Sequence, residues 1–397
     1  MTEKFSNTLT EDIEVYPNYP EILSSTVSES YPKYARKKLL KQMEKNEVVR
    51  LEKSKKVSEG KNVLDLSDIE DEENQLSEGI ARAQSVVRHV EKDEFLKSYK
   101  FAVLFSVTEI DETLIDEGLI KNKIVDYFSA NRPNDYIFDE KTYKSIIPTK
   151  YAIGNIIMFK FSRLLSGFPP NTEIKKQYKY PIIAVYHKHL GVLEIRLDRV
   201  KPYFQDDEFF YTQQIELVLN WFKINLDCQF ENINFPAVID YIIKTLEQDE
   251  VSVHSQSMSL PNGGKAVLDT GANENYILPL LGELKELIRS NEELFDKSPE
   301  IRQILDGFIA EIETNANLPW IALIWKGTDK GKSTTVKFKH DYLNQEYSFL
   351  QYYGQQSNME KMNNVTDYII KNKIEFERLE DINGAEADGP ANDSSNI

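Results

Sequence analysis

A carboxylate in a tight turn is the first candidate for chemistry in this chain. Asp269, Thr270 and Gly271 follow the apolar pair Val267 and Leu268 in the segment AVLDTGAN. Two carboxylates that share one proton supply an acid and a base near neutral pH, because like charges so close together cannot both ionise. The sequence contains no second Asp-Thr-Gly or Asp-Ser-Gly, so such a pair requires a homodimer.

The segment resembles the active-site loop of retroviral-type aspartic proteases over about ten residues. In that family a strand delivers the aspartate into the turn, and a flap hairpin and a Gly-containing apolar strand come next. Here the helical pattern LPLLGELKELIRSNEELF follows instead. We favour a structural turn, and Asp269 is the candidate catalytic residue of the protease alternative.

Two hairpin segments carry groups that bind phosphate or metal in other proteins. GTDKGKST, residues 327–334, is similar to a phosphate-binding P-loop, but three residues instead of four separate its first glycine from the Gly-Lys pair, and a strand pattern follows. Glu194, Arg196 and Asp198 alternate along a predicted strand, and restriction-type nucleases place a Glu-x-Lys on such a strand to hold Mg²⁺. Arg196 occupies the Lys position. We predict a solvated hairpin tip for the first segment and a solvated charged face for the second.

Histidine and cysteine are scarce. His187 and His189 lie at a predicted turn and are expected to be exposed, and a zinc site needs four ligands. We therefore predict no metal site and no cofactor. Cys228, the only cysteine, ends an amphipathic run and is predicted to be a partly buried apolar residue rather than a reactive thiol.

The most pronounced charge feature is a basic block at residues 33–56. Ten basic residues face three acidic ones there, a net charge of +7, whereas the whole chain carries −17 and its remainder −24. The candidate residues for binding a partner or nucleic acid are Arg36, Lys37, Lys38, Lys41 and Lys45. We favour pairing of the block with the acidic run Asp68–Glu73, and binding of nucleic acid is the alternative. The segment VLDLSDIEDEE resembles short acidic-hydrophobic peptides that add a strand to a partner's sheet.

Hydrophobic periodicity predicts an α+β fold, with a mixed β-hairpin and sheet core, packed helices and flexible N- and C-terminal arms. The clearest hairpin is residues 180–200, whose second strand alternates apolar and charged side chains. A second hairpin is predicted at 320–340. Helices are predicted at 207–226 and 234–250, and Ser298 before Pro299 indicates another helix start.

Composition divides the chain into five segments. They are a disordered arm with the basic block at 1–60, an acidic linker and helix at 61–97, an α+β domain at 98–260, a helical and β-hairpin C-terminal domain at 261–379, and a disordered acidic tail at 380–397. The two arms have little apolar surface to offset chain entropy, so we expect limited proteolysis to trim both.

Bulk composition narrows the class of protein. Hydrophobic side chains make up 41% of the 397 residues, which is enough for a sizeable core. No run approaches the roughly 18 apolar residues of a membrane helix, and the N-terminus lacks a signal-peptide pattern. A single cysteine forms no internal disulfide, so a cytoplasmic location without membrane attachment is expected.

The leading functional hypothesis is an intracellular binding or regulatory protein that acts through protein partners. Frequent Lys, Asn and Ile are typical of AT-rich bacterial or phage genomes and suggest antiviral defence or a mobile element as the setting. The alternatives are a nucleic-acid-associated protein or nuclease accessory, and an aspartic-type protease acting through Asp269-Thr270-Gly271. A homo-oligomer remains open.

Overall fold

The computed structural model describes residues 19–54, 58, 62–108, 110–129, 137–138, 146–245, 250–259, 264–271, 280–315, 317–326, 333–353 and 359–387. The chain divides into two compact units. The first consists of Met1–Lys97 and Val107–Phe230, and the second of Ser98–Ser106 and Glu231–Ile397. Helices and sheet strands together confirm the predicted α+β class. The division differs from the predicted 98–260 and 261–379 domains, because residues 98–106 and 231–260 belong to the second unit.

The helices, in chain order, are α1 (Tyr19–Ser30), α2 (Lys33–Lys45), α3 (Glu72–Arg82), α4 (Gln84–Leu96), α5 (Phe210–Leu226), α6 (Phe235–Thr245), α7 (Leu281–Ser290), α8 (Glu292–Phe295), α9 (Pro299–Asn315) and α10 (Met359–Ala387). The strands are β1 (Val49–Arg50), β2 (Leu64–Asp65), β3 (Phe101–Val107), β4 (Asp126–Tyr127), β5 (Ile137–Phe138), β6 (Thr149–Ile153), β7 (Ile156–Gly167), β8 (Lys176–His187), β9 (Val192–Leu197), β10 (Phe230–Asn232), β11 (Val251–Ser259), β12 (Lys265–Asp269), β13 (Asn317–Trp325), β14 (Thr334–Lys339) and β15 (Phe349–Tyr353). Short π- or 3₁₀-helical turns lie at Leu114–Leu119, Pro202–Phe204 and Tyr342–Asn344. Within the described part of the chain, no helix combines the length and apolar content needed to span a bilayer.

The N-terminal region is a helical layer, and this corrects the predicted disorder of the 1–60 arm over residues 19–54. Leu23 and Val27 of α1 pack with Leu40 of α2 in one hydrophobic cluster. Residues of α3 and α4 join the same cluster, so the predicted linker at 61–97 is part of the core. The apolar residues of α1 are few, but they recur four positions apart and lie on one face. Residues 1–18 lie outside the described part.

The sheet of the first unit follows the strand order β9-β8-β7-β6-β4, and β5 also joins β7. The pairs β9–β8, β8–β7 and β7–β6 are antiparallel, whereas β4–β6 and β5–β7 are parallel. The predicted hairpin at 180–200 is confirmed as β8 and β9. Gly191 closes its turn at a φ of 61°, a left-handed conformation that glycine adopts without steric cost.

Helices cover both faces of this sheet. Phe159 and Phe161 of β7 point to α5, where their ring centroids lie 6.1 and 5.4 Å from that of Trp221. Lys160, which lies between them on β7, points to the other face, because side chains alternate along a strand. α1 and α4 cover that second face, as the contacts of Lys160 and Lys179 with these helices show.

The strands of the second unit follow the order β12-β11-β13-β14-β15-β3, and neighbouring strands are antiparallel. The predicted hairpin at 320–340 is confirmed as β13 and β14. Phe338 lies 5.8 Å from Phe235 of α6, and Trp325 lies 6.1 Å from Tyr368 of α10, measured between ring centroids. The predicted start at Ser298-Pro299 is confirmed, since α9 begins at Pro299. α10 extends to Ala387, which corrects the predicted disordered tail over 380–387, and residues 388–397 lie outside the described part.

Candidate binding site

Helix α2 carries the candidate binding residues on one side. Successive helical residues turn by about 100°, so Leu39, Leu40 and Met43 share a face, and all three are buried. The opposite side is exposed and forms the lysine face, which consists of Tyr34, Lys37, Lys38, Lys41, Gln42 and Lys45. These side chains line an open groove of about 410 Å³. The strong amphipathic character of α2 therefore concentrates positive charge on the outer surface of the first unit.

Part of the basic block is neutralised within the chain, as predicted. The ion pairs are Lys33–Glu72, Arg36–Glu73, Arg50–Asp65 and Lys53–Asp68. The first two join α2 to the N-terminal turn of α3, with nitrogen–oxygen distances of 3.6 and 3.1 Å. The acidic run Asp68–Glu73 therefore lies against one flank of α2 and pairs with Lys33, Arg36 and Lys53, whereas Arg50 pairs with Asp65 just before the run.

The four lysines of the lysine face take no part in this pairing. Among the described residues, Lys37, Lys38, Lys41 and Lys45 form no ion pair. Arg36 belongs with the paired group, because its guanidinium binds Glu73 and also donates to the carbonyl oxygen of Tyr31 at 3.1 Å. Adjacent like charges repel one another, so the lysine face is a site where an anion would lower the electrostatic free energy.

Lys38 also acts on a carboxyl group of α4. Asp93 is half-buried, and burial raises its pKa to about 6. The charges of Lys97 and Lys38 and a hydrogen bond from Tyr31 oppose this rise without cancelling it. Asp93 therefore changes its charge in a weakly acidic range, close to the cationic surface of α2.

A second concentration of charge, the buried charge layer, lies between the sheet of the first unit and the helices over it. It consists of Tyr19, Arg88, Glu91, Glu94, Lys160 and Lys179. Glu94 Oε2 accepts hydrogen bonds from Lys160 Nζ and Lys179 Nζ, each at 2.8 Å. Tyr19 donates to Glu91 Oε1 at 2.8 Å, and Lys179 Nζ donates to the Tyr19 hydroxyl at 3.2 Å. These groups are all buried, so the layer fixes α1 and α4 to the sheet.

Two sequence predictions about the hairpin of β8 and β9 are wrong. Glu194 and Arg196 were predicted on a solvated face, and His187 in an exposed turn, yet all three are buried. Glu194 Oε2 lies 3.0 Å from His187 Nε2 and accepts from Arg196 Nη2 at 2.7 Å. Burial alone would raise the pKa of Glu194, but Arg196 and the hydrogen bond from His187 lower it to about 2. His189, its partner in the predicted pair, is exposed.

Asp269 ends β12, an edge strand of the second unit, and its side chain is exposed. Its Oδ1 accepts a hydrogen bond from the amide of Gly271 at 2.8 Å, and Gly271 has a φ of 57°. Thr270 Oγ1 lies 3.1 Å from His254 Nδ1. Each of these contacts serves the turn, and the catalytic role of Asp269 remains a prediction.

The other motifs have structural roles where they are described. Residues 327–332 of GTDKGKST lie outside the described part, and β14 follows from Thr334 where a P-loop would begin a helix. The VLDLSDIEDEE segment adds a strand within its own chain, because β2 pairs in parallel with β1. Cys228 is buried, and burial raises the pKa of its thiol to about 11, which disfavours the reactive thiolate. No group of three or more metal-ligating side chains occurs among the described residues.

The basic block was predictable from the sequence, but its division into a paired part and an unpaired lysine face was not. Part of the signal was present, since Tyr34, Lys38, Lys41 and Lys45 recur at helical spacing. No protein-family model, curated protein or solved structure matches the chain.

Proposed function

We propose that this chain is a binding protein whose lysine face takes an acidic segment of a protein partner. The observation that carries the proposal is the difference between the paired and the unpaired cations of the basic block. Four cations of the block are paired with acidic residues, whereas the four lysines of the lysine face form no ion pair in the described part. Lys37 and Lys45 are separated by eight residues, or about 12 Å along the helix axis.

The mode of recognition has a precedent within the molecule. The acidic run of α3 already binds the flank of α2 through Glu72 and Glu73, so this helix binds acidic polypeptide. A short acidic segment fits the length of the lysine face. Duplex DNA, with one charge per about 1.7 Å of axis, would place many phosphates against a chain of net charge −17. Charge and size therefore favour an acidic protein segment over nucleic acid.

The test is a fluorescence titration with three labelled probes: a short peptide of alternating Glu and Ala, an oligothymidylate of equal charge and a DNA duplex. The critical variant replaces Lys37, Lys38, Lys41 and Lys45 by Ser. The matched control replaces Lys121, Lys175, Lys223 and Lys297, which are exposed and form no ion pair in the described part. We expect peptide affinity to fall roughly tenfold in the first variant, since four exposed contacts contribute about 0.2–1 kcal/mol each.

The control variant should bind the peptide as the wild type does, and binding should weaken as salt rises from about 50 to about 200 mM. Replacing Glu72 and Glu73 by Gln should strengthen binding by freeing Lys33 and Arg36. Equal affinity of the two lysine variants would reject the proposal. Tight binding of the oligothymidylate or duplex, lost with the lysine face, would replace it by the nucleic-acid alternative.

A further inference from the structure

Helices α7, α8 and α9 of the second unit bury very little of their own apolar surface. Among their described side chains, only Ile288 and Ile309 are buried. Leu280, Leu287 and Leu294 are more than half exposed. Helices of 10, 4 and 17 residues are marginal in water unless an apolar face is packed against something. The segment therefore has apolar surface left for a further contact.

The exposed apolar surface is continuous on α9. Ile301, Ile304 and Phe308 have exposed fractions of 54%, 71% and 51%. Positions i, i+3 and i+7 of a helix lie within about 60° of one another, so the three side chains form one stripe along the helix. Such spacing is the usual contact pattern of a helix that packs against another helix.

The charges beside this apolar stripe are acidic. Glu300 and Glu311 lie on one flank, both exposed, and neither forms an ion pair in the described part. Arg302, the only basic residue of α9, is already surrounded by Asp296 at 2.6 Å and Asp306 at 3.6 Å. An occupant of the stripe would therefore meet uncompensated negative charge along its edge.

A second copy of the chain fits this edge poorly. Two α9 helices packed antiparallel through the stripe would bring Glu300 of one copy beside Glu311 of the other, and like charges at such positions are destabilising. Anionic membrane is disfavoured for the same reason, since interfacial helices carry basic residues beside their apolar face. A partner helix with basic residues beside its apolar face avoids this repulsion and is attracted by Glu300 and Glu311.

We infer that the apolar stripe of α9 is a docking site for an amphipathic helix of another protein, one with an apolar face flanked by lysine or arginine. The stripe supplies the buried contact, and Glu300 and Glu311 set the sign of charge that the partner carries. This site is separate in residues and in charge from the lysine face, so it does not depend on the function proposed above.

The probes are two labelled synthetic helices, one of Leu and Lys with leucines at helical spacing, and one in which Glu replaces every Lys. We expect the Leu/Lys peptide to bind the full-length protein at least about tenfold more tightly than the Leu/Glu peptide. The variant I304S/F308S should weaken that binding about tenfold or more. Its matched control is F209S/I224S, two exposed apolar residues of similar exposure near the ends of α5. I301K is a second, single substitution that should act in the same direction.

Charge is tested separately, because a basic peptide is attracted to any acidic protein. E300Q/E311Q should weaken binding of the Leu/Lys peptide about threefold. It should also reduce the difference in affinity between the Leu/Lys and the Leu/Glu peptides. The control E208Q/E216Q removes two exposed carboxylates elsewhere and should change affinity less than twofold. Equal effects of stripe and control variants would overturn the inference. A concentration-dependent dimer in sedimentation experiments, abolished by I304S/F308S, would assign the stripe to a second copy instead.

Discussion

At the scale of single residues, Asp93 gives the molecule a calculable pH dependence. A carboxyl pKa of about 6, raised from 3.8, means that the folded state binds this proton more tightly than the unfolded chain. The resulting stabilisation is complete below the unfolded pKa and is lost as the pH rises through about 6.

Asp93→Asn removes this dependence. We expect the variant to be more stable than the wild type at pH 7, by about 1–2 kcal/mol, because the charge no longer has to be kept half-buried. The difference should shrink as the pH falls towards 4. Urea unfolding at both pH values measures it, and a variant that is less stable than the wild type at pH 7 would show that attraction to Lys97 and Lys38 outweighs burial.

Substitutions of Asp269 distinguish a structural turn from a protease active site. An Asn side chain still offers an oxygen to the amide of Gly271, so Asp269→Asn should leave melting and partner binding unchanged. Asp269→Ala loses that hydrogen bond and should cost about 0.5–1.5 kcal/mol. The protease alternative requires the opposite pattern: peptide cleavage by the wild type that Asp269→Asn abolishes while the melting temperature stays the same.

At the scale of elements, the buried charge layer determines how α4 lies on the sheet. Glu94→Gln leaves two buried ammonium groups, on Lys160 and Lys179, without their shared carboxylate. Removing one partner of a buried pair costs about 3–5 kcal/mol. We expect a corresponding loss of stability in urea unfolding. The combined variant E94L/K160M/K179M should recover most of it, because neither lysine is then left as a buried charge without its carboxylate. Failure of the combined variant to recover would mean that the layer also fixes the packing geometry.

Strands β8 and β9 and helix α1 show which parts of the fold could be predicted from the sequence. Strand alternation predicted β8 and β9 because period two is intrinsic to any strand with one apolar face. The same alternation misled about Glu194 and Arg196, because charged side chains that pair with one another and with His187 inside the protein give the same sequence pattern as a face in water. α1 was missed because Ser, Thr and Glu outnumber its apolar residues, although Leu23 and Val27 are buried in the N-terminal cluster and Tyr19 belongs to the buried charge layer. Local composition predicts whether a segment tends to be disordered. It does not predict which charged residues, distant in sequence, will pair in the folded protein.

The candidate site was predictable to a similar degree. Charge counting located the block at 33–56, and the acidic run beside it predicted pairing. Which lysines stay unpaired depends on the rotation of α2 about its axis, and that rotation is fixed by the burial of Leu39, Leu40 and Met43. The apolar stripe of α9 has ordinary amphipathic spacing, and only the structure shows that most of it is exposed.

At the scale of the whole molecule, the two units are interleaved in sequence, because residues 98–106 lie between two parts of the first unit and belong to the second. β3 pairs with β15 through Ala102 and Leu350, and the amide of Tyr99 donates to Met362 Sδ at 3.2 Å. The fragment 231–397 lacks this strand and leaves an edge of β15 unpaired.

We expect the fragment 231–397 to aggregate or to melt without cooperativity. The same fragment with residues 98–107 joined through a Gly/Ser linker should melt cooperatively, because the missing strand and its buried side chains are restored. Calorimetry and size-exclusion chromatography of both fragments provide the comparison. Cooperative melting of the shorter fragment would show that β3 is dispensable for the second unit.

The interleaving also sets an order of events during synthesis. β3 leaves the ribosome long before β15, and at about 5–20 residues per second the chain from Phe101 to Phe349 takes roughly 12–50 s to make. Throughout that interval Phe101, Ala102, Val103 and Leu104 have no β15 to pair with, whereas the first unit is complete once Phe230 has emerged. The edge of β3 that pairs with β15 therefore lacks its partner in the nascent chain during that interval, and we expect the yield in the cell to depend on translation speed and on chaperones that bind apolar strands.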